Sequence, residues 1–239
     1  MEILNDKVAL ITGGTKGIGY HVALSMMDQG MKVAITGRTQ EGIDKAIENL
    51  KQVGGYNCKG IVCDVRNYDS QKKCVEQVLE AFGRIDVLIA NAGVGHFASI
   101  DELTPEQWQE VIDVNLTGVF YSTKASLDAL KDSSGYIITI ASLAGTNFFA
   151  RGSAYNASKF GLVGFTQAVM LDLRHSGIKV STIMPGSVAT YFNDHTPTEA
   201  DAWKIQPEDI GQIVIDLLKM NPRTLPSKIE VRPSVPPKK

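Results

Sequence analysis

Charge of one sign is what this chain lacks first. Its 24 Lys and Arg nearly balance 26 Asp and Glu, leaving a net charge of −2 over 239 residues. That balance gives no electrostatic reason to expect nucleic acid or an anionic membrane as partner. Long apolar runs are also missing, and none approaches the roughly 20 residues a bilayer span requires. The start, MEILNDKVALITGG, sets acids before a short apolar run and lacks the basic flank and long apolar core of a signal peptide. Cysteine is scarce. Cys58, Cys63 and Cys74 are odd in number and form no C-x-x-C, which argues against a zinc site or disulfide framework and fits a reducing cytoplasm. None of the four histidines, His21, His96, His175 and His195, stands at metal-ligand spacing from another, so no metal is expected. No G-x-S-x-G elbow occurs, which excludes the hydrolase arrangement of a nucleophilic serine.

What is present is a repeated alternation. KVALIT (7–12), KVAIT (32–36), GIVCDV (60–65), IDVLIANAG (85–93), GYIITIAS (135–142), IKVSTIMPG (178–186) and KIEVRP (228–233) are strand candidates, separated by helix-like stretches. Continuous Val/Ile-rich runs imply strands covered on both faces, and strand–helix repetition implies right-handed crossovers in a parallel sheet. The expected fold class is α/β: a doubly wound, Rossmann-like parallel sheet of about seven strands with helices on both faces. No repeat or linker divides the chain, so residues 1–239 read as one domain, at the upper end of what one α/β domain commonly uses. Within it, 187–205 is the longest ambiguous stretch and reads as a short substrate lid; 233–239 is a Pro-rich, extended tail.

TGGTKGIG (12–19) lies between the first strand and the first helix. Gly13 permits a tight turn, Gly17 lets a phosphate approach the backbone, and Gly19 lets the helix pack closely on the sheet. The helix N-terminus then presents free N–H groups to a pyrophosphate, with Thr15, Lys16 and Ile18 in the same turn. A P-loop is excluded, because Tyr20 and His21 stand where its Lys and Ser/Thr would be. The second strand ends ITGRT, with Arg38 and no acid. Two cations, Arg38 and Lys16, favour a 2′-phosphate, hence NADP(H) over NAD(H); the plainer reading makes them solvated surface charges. Asp64, at the third strand end, either bonds an adenine amino group or caps the helix starting near Asn67.

SAYNASKFG (153–161) sets Tyr155 and Lys159 one helical turn apart on one face. A free tyrosine, with a pKa of roughly 10, is too weak an acid to cycle easily at neutral pH. A neighbouring cation favours the phenolate, so Lys159 is expected to make Tyr155 more acidic. Ser142 ends its strand above the same crevice and can hydrogen-bond a carbonyl. Asn115 is a poor helix former in mid-helix. Taken singly, each has a structural explanation: a packed Tyr, a solvated Lys, a strand-end Ser, an exposed Asn.

Taken together with CDV (63–65), NAG (91–93), VIDVNLTG around Asn115, IAS ending at Ser142, YNASK (155–159) and PGSVAT (185–190), the chain strongly resembles the short-chain dehydrogenase/reductase family over nearly its whole length. The resemblance implies one Rossmann-type domain, a nicotinamide coenzyme, a small carbonyl or alcohol substrate, and a homodimer or homotetramer pairing helices over roughly 105–131 and 153–176. It implies a catalytic set of Asn115, Ser142, Tyr155 and Lys159. It further implies that Val65, Asn91, Ala92, Gly93, Ile140, Pro185, Gly186, Val188 and Thr190 line the coenzyme, that Lys159 reaches its ribose, and that Asn115 holds a water leading from Lys159.

For the substrate, the loops offer His96, Phe148, Phe149, Tyr191 and Phe192 beside Ser142 and Tyr155, with Val94, Gly95, Phe97 and Trp203 nearby. Their aromatic content suggests an apolar pocket; the plainer reading is that several simply pack the loops. Trp108 is expected in the core or an interface. The end SKIEVRPSVPP lacks the glycine pair common in 3-oxoacyl-carrier-protein reductases, which weakens that reading against a sepiapterin-type, diketone or general carbonyl reductase. A nucleotide-binding regulatory protein without turnover is the alternative of another class. A nucleotide-sugar epimerase, which can use a similar Tyr–Lys pair, usually needs a further domain that has no room here.

Overall fold

The computed structural model describes residues 4–54 and 57–236; Pro237, Lys238 and Lys239 of the expected tail lie outside them. Among the described residues, seven parallel strands form one sheet: β1 (Val8–Ile11), β2 (Lys32–Gly37), β3 (Cys58–Val62), β4 (Val87–Ala90), β5 (Tyr136–Ile140), β6 (Lys179–Pro185) and β7 (Lys228–Val231). Their order is β3-β2-β1-β4-β5-β6-β7, so the direction of winding reverses between β1 and β4. The helices are α1 (Gly17–Met27), α2 (Gln40–Gly54), α3 (Tyr68–Phe82), α4 (Pro105–Ile112), α5 (Gly118–Ser133), α6 (Ser153–Leu173) and α7 (Pro207–Lys219).

Successive strand residues point to opposite faces, and both faces of this sheet are covered. Ala9 and Ile11 of β1 pack with Val22 and Met26 of α1, Leu50 of α2, and Ile210 and Val214 of α7. Val8 and Leu10 of the same strand face Val75 and Val78 of α3, Leu130 of α5 and Val169 of α6. The strands therefore read as continuous apolar runs rather than alternating ones.

One crossover departs from expectation. The chain steps from β6 to β7 in the direction of its β4–β5 and β5–β6 steps, yet α7 lies on the α1/α2 face, opposite α5 and α6. That crossover has the opposite hand to its neighbours. The apolar side of α7 (Ile210, Val214, Ile215, Leu217) has its partner in α1, and residues 186–206 carry the chain over the sheet's carboxyl edge to reach it. The third strand also begins and ends earlier than GIVCDV suggested. Its pairing runs from Val33↔Cys58 to Gly37↔Val62 and ends where β2 ends, which leaves Asp64 and Val65 in the turn beyond.

Candidate active site

The carboxyl ends of β1, β4, β5 and β6 open into a cleft of about 720 Å³. Its floor is the glycine turn. Gly13 has φ +65° and Gly17 φ +58°, backbone conformations that favour glycine, and a Cβ on Gly13 would come within 2.9 Å of the Ala92 Cα. Gly19 is needed for close approach: a Cβ there would lie 2.6 Å from the Gly13 carbonyl oxygen. Asn91 fastens this turn to β4, its side-chain amide donating to the carbonyls of Thr12 and Gly13, each at 2.9 Å. The Thr12 hydroxyl accepts from the N–H groups of Asn91 (3.0 Å) and Ala92 (3.1 Å). The turn is thus held open by β4, with the start of α1 facing the cleft.

Thr15, Lys16, Ile18, Arg38, Asp64, Val65, Gly93, Ile140, Pro185, Gly186, Val188 and Thr190 line the same cleft with Gly13, Gly17, Asn91 and Ala92. Gly19 packs beneath the turn. Lys16 is exposed. Arg38 is 62% exposed, with its nearest carboxylate, Glu110, 3.9 Å away. Neither cation is locked into a close ion pair, the condition in which a basic group can meet a phosphate. Asp64 does not cap α3. Asn67 does so, accepting from the Ser70 N–H at 2.9 Å. The Asp64 carboxylate is gripped instead by Arg66, through Nε at 3.0 Å and Nη2 at 2.7 Å, and Arg66 holds its pKa below the usual carboxylate range.

At the other end of the cleft, Ser142, Tyr155 and Lys159 come together. The first turn of α6 carries Tyr155 and the next carries Lys159, whose Nζ lies 5.6 Å from the Tyr155 ring centre. Lys159 is 4% exposed and donates to the Ile140 carbonyl at 3.1 Å. Ser142 Oγ accepts from the Ala144 N–H at 3.1 Å, donates to the Pro185 carbonyl at 3.5 Å, and stands near enough to the Tyr155 hydroxyl to lower its pKa. Here the expected acidification of Tyr155 is not met. Burial pushes the phenol up to about 12, and Ser142 only partly opposes this. Burial also draws the Lys159 ammonium down to about 8. Removal from water disfavours the charged form of each group and is the leading cause of both shifts.

Asn115 lies behind the cleft wall, fully buried. Between α4 and α5 the helix widens into one π-helical turn, Asp113–Thr117, and Asn115 sits within it. Its side chain clasps the backbone of Val94, accepting from the N–H at 2.8 Å and donating to the carbonyl at 2.9 Å; it also donates to the Ser158 hydroxyl at 3.1 Å. The side chain is thereby committed to holding the segment after β4.

The substrate candidates divide. His96, Tyr191 and Phe192 line the cleft. Phe148 does not: it is 87% exposed. Phe149 lies outside the lining and rests on Phe97, ring centres 5.9 Å apart. Asn156 draws this loop away by donating to the carbonyls of Ala144 and Asn147, both at 2.8 Å. Phe97, by contrast, packs edge-on against Tyr155 at 5.4 Å, and Phe192 packs at 5.7 Å. Trp108 is outside the core, 40% exposed on α4. Sequence reasoning missed Glu110, Arg66 and Lys204. Glu110 and Lys204 line the cleft, yet each looks like an ordinary solvent-side charge in its helix or loop.

A crevice beside the strand-order reversal is where doubly wound proteins take up nucleotides. The chain belongs to the short-chain dehydrogenases: the family described as short chain dehydrogenase matches residues 7–201. A relative from Streptomyces coelicolor, named as a ketoacyl reductase, is 36% identical over 213 residues, covering 87% of this chain and 81% of its own. An alcohol dehydrogenase from the archaeon Thermococcus sibiricus, solved with 5-hydroxy-NADP, superposes with a TM-score of 0.90 at 29% identity, covering 98% of this chain and 99% of its own. A metagenomic short-chain oxidoreductase solved with NADP gives 0.85 at 33% identity, covering 98% of this chain and 100% of its own. Among the described residues, no helix is long and apolar enough to cross a membrane, and no group of three or more potential ligands could hold a metal.

Proposed function

We propose that the protein is an NADPH-dependent carbonyl reductase, or an alcohol dehydrogenase in the reverse direction. The observation that carries this reading is a buried Lys159 beside Tyr155 and Ser142, in the same cleft as an open glycine turn. The turn fits a dinucleotide, since Gly13 and Gly17 leave a cradle bounded by backbone and Arg38 and Lys16 stand free to meet a 2′-phosphate. NADP bound in similar structures supports that choice. When bound, the coenzyme supplies the hydride for the carbonyl carbon.

The chain's own residues handle the oxygen. The Ser142 hydroxyl orients the substrate carbonyl toward Tyr155. The Tyr155 hydroxyl gives its proton to the developing alkoxide, and the O–H bond it breaks leaves a phenolate beside the Lys159 ammonium. A phenol pushed up to about 12 holds its proton until a stronger base, the alkoxide, forms beside it. The buried ammonium lies where phenolate charge appears, and in a site shielded from water that attraction is large. Asn115 contributes by fixing Val94 and the loop that follows. Residues 187–205 form the lid, with Phe192 against Tyr155. Exposed Phe120 of α5 and Phe160 of α6 support a homo-oligomer joined through these helices.

A 3-oxoacyl substrate is the second reading, favoured by the Streptomyces relative's name. Tyr155→Phe tests the mechanism. Ketone reduction, followed by NADPH absorbance, should fall at least about a hundredfold while NADPH still binds, because one general acid typically contributes that much or more. Unchanged turnover would refute the role. A panel of ketones, diketones and 3-oxoacyl thioesters separates the two readings.

A further inference from the structure

We propose that Glu110 is a positioning residue that couples the coenzyme's 2′-phosphate site to the loop over Tyr155, through Arg38 on one side and His96 on the other. The proposal rests on the reading of Arg38 and Tyr155 given above. Glu110 stands on α4, one turn before the π-helical segment. Its Oε2 meets His96 Nε2 at 2.7 Å, and its Oε1 faces Arg38 Nη1 at 3.9 Å. His96 is followed by Phe97, whose ring stands 5.4 Å from that of Tyr155 and 6.3 Å from that of Phe192. On the other side of His96, a Cβ on Gly95 would come within 2.8 Å of Phe192 and 2.9 Å of Phe97. The segment therefore cannot slide without moving both rings. One carboxylate lies between the cation that reads the coenzyme and the segment seated over the proton donor.

The surrounding charges sharpen the link. Arg66 also acts on Glu110 but is committed to Asp64 by a two-pronged contact, with Asp113 the remaining acid near it. Arg38 and His96 are thus the partners Glu110 can exchange. His96 is the main influence holding the Glu110 carboxyl below its usual range, with Arg38 and Arg66 adding to it. A 2′-phosphate at Arg38 would draw the guanidinium away and set a dianion near the carboxylate. Glu110 would then keep the His96 imidazole as its close hydrogen-bond partner, and the Phe97 loop would be held more firmly. A nucleotide without that phosphate leaves Arg38 shared.

Two measurements test this. The first needs no turnover. The imidazole Cε1–H signal of His96, read by NMR of the labelled full chain, is followed while adenosine 2′,5′-bisphosphate or 5′-AMP is added. In the wild type the bisphosphate should displace the signal more than 5′-AMP does, and in Glu110→Gln the two nucleotides should act alike. Equal displacement in the wild type, or a difference that survives in Glu110→Gln, overturns the proposal.

The second is a double-mutant cycle on the carbonyl KM at saturating NADPH. Arg38→Ala should raise KM about threefold in the wild-type background and leave it nearly unchanged in Glu110→Gln, a coupling typical of residues sharing one charge network. His96→Gln should replace Glu110→Gln in this cycle with the same outcome. A Glu110 that merely supports the fold would raise KM by the same factor with and without Arg38, and that additivity would also overturn the proposal. A wild type that reduces no carbonyl removes the functional reading, while the His96 signal still decides the Glu110 link.

Discussion

Lys159 brings a positive charge to a place almost closed to water, and this leaves a mark on stability. In the folded chain its pKa is drawn from 10.5 to about 8 by burial. Between those values the unfolded chain keeps a proton that the folded one has released, so stability rises with pH across that window. Below pH 8 both states are protonated and the burial cost is felt in full. Tyr155, raised to about 12, acts in the opposite sense, because above pH 10 the unfolded chain loses a proton that the native one keeps. Urea denaturation of the coenzyme-free protein should therefore show stability rising between pH 8 and 10. Lys159→Met should remove that rise and add up to about 3 kcal/mol at neutral pH. Both residues were legible in the sequence, because positions four apart on a helix must share a face. Glu110 and Arg66 were not. Their partners are set by which loops meet in space, and an isolated charge carries no period that announces its neighbour.

At the scale of elements, the π-helical turn is held against the β4 loop by one amide. Asn115 satisfies both the N–H and the carbonyl of Val94. Asn115→Ala should leave these groups with no side-chain partner and cost about 2 kcal/mol, read as a lower denaturant midpoint. Asn115→Asp keeps an acceptor for the Val94 N–H but sets a buried carboxylate against the Val94 carbonyl, and should cost at least as much. The sequence indicated that Asn115 is awkward in a helix; it could not show the widened turn, whose Asn115 is tied to Val94, 21 residues earlier. Strand positions were readable to within a few residues because apolar runs covered on both faces are conspicuous. The face chosen by α7 was not, since its amphipathic pattern fits either side of the sheet and contact with α1 decides.

For the whole molecule, coenzyme choice should be visible as stability. A ligand that binds the native state alone stabilises it by about 2.7 kcal/mol at a hundred times its Kd. In thermal-shift measurements the wild type should respond to NADPH at much lower concentration than to NADH. Arg38→Asp should reverse that order, weakening NADPH by about tenfold or more through loss of a charge-assisted contact and gain of a repulsive one. An unaltered NADPH/NADH ratio would count against Arg38 as the phosphate reader. The cleft takes its walls from positions as distant along the chain as Gly13 and Lys204, and α7 must settle on α1 behind them. During synthesis the glycine turn leaves the ribosome early and Lys204 late. Nucleotide retention by a nascent chain should thus begin late and abruptly, reporting that the first and last parts of the domain have met.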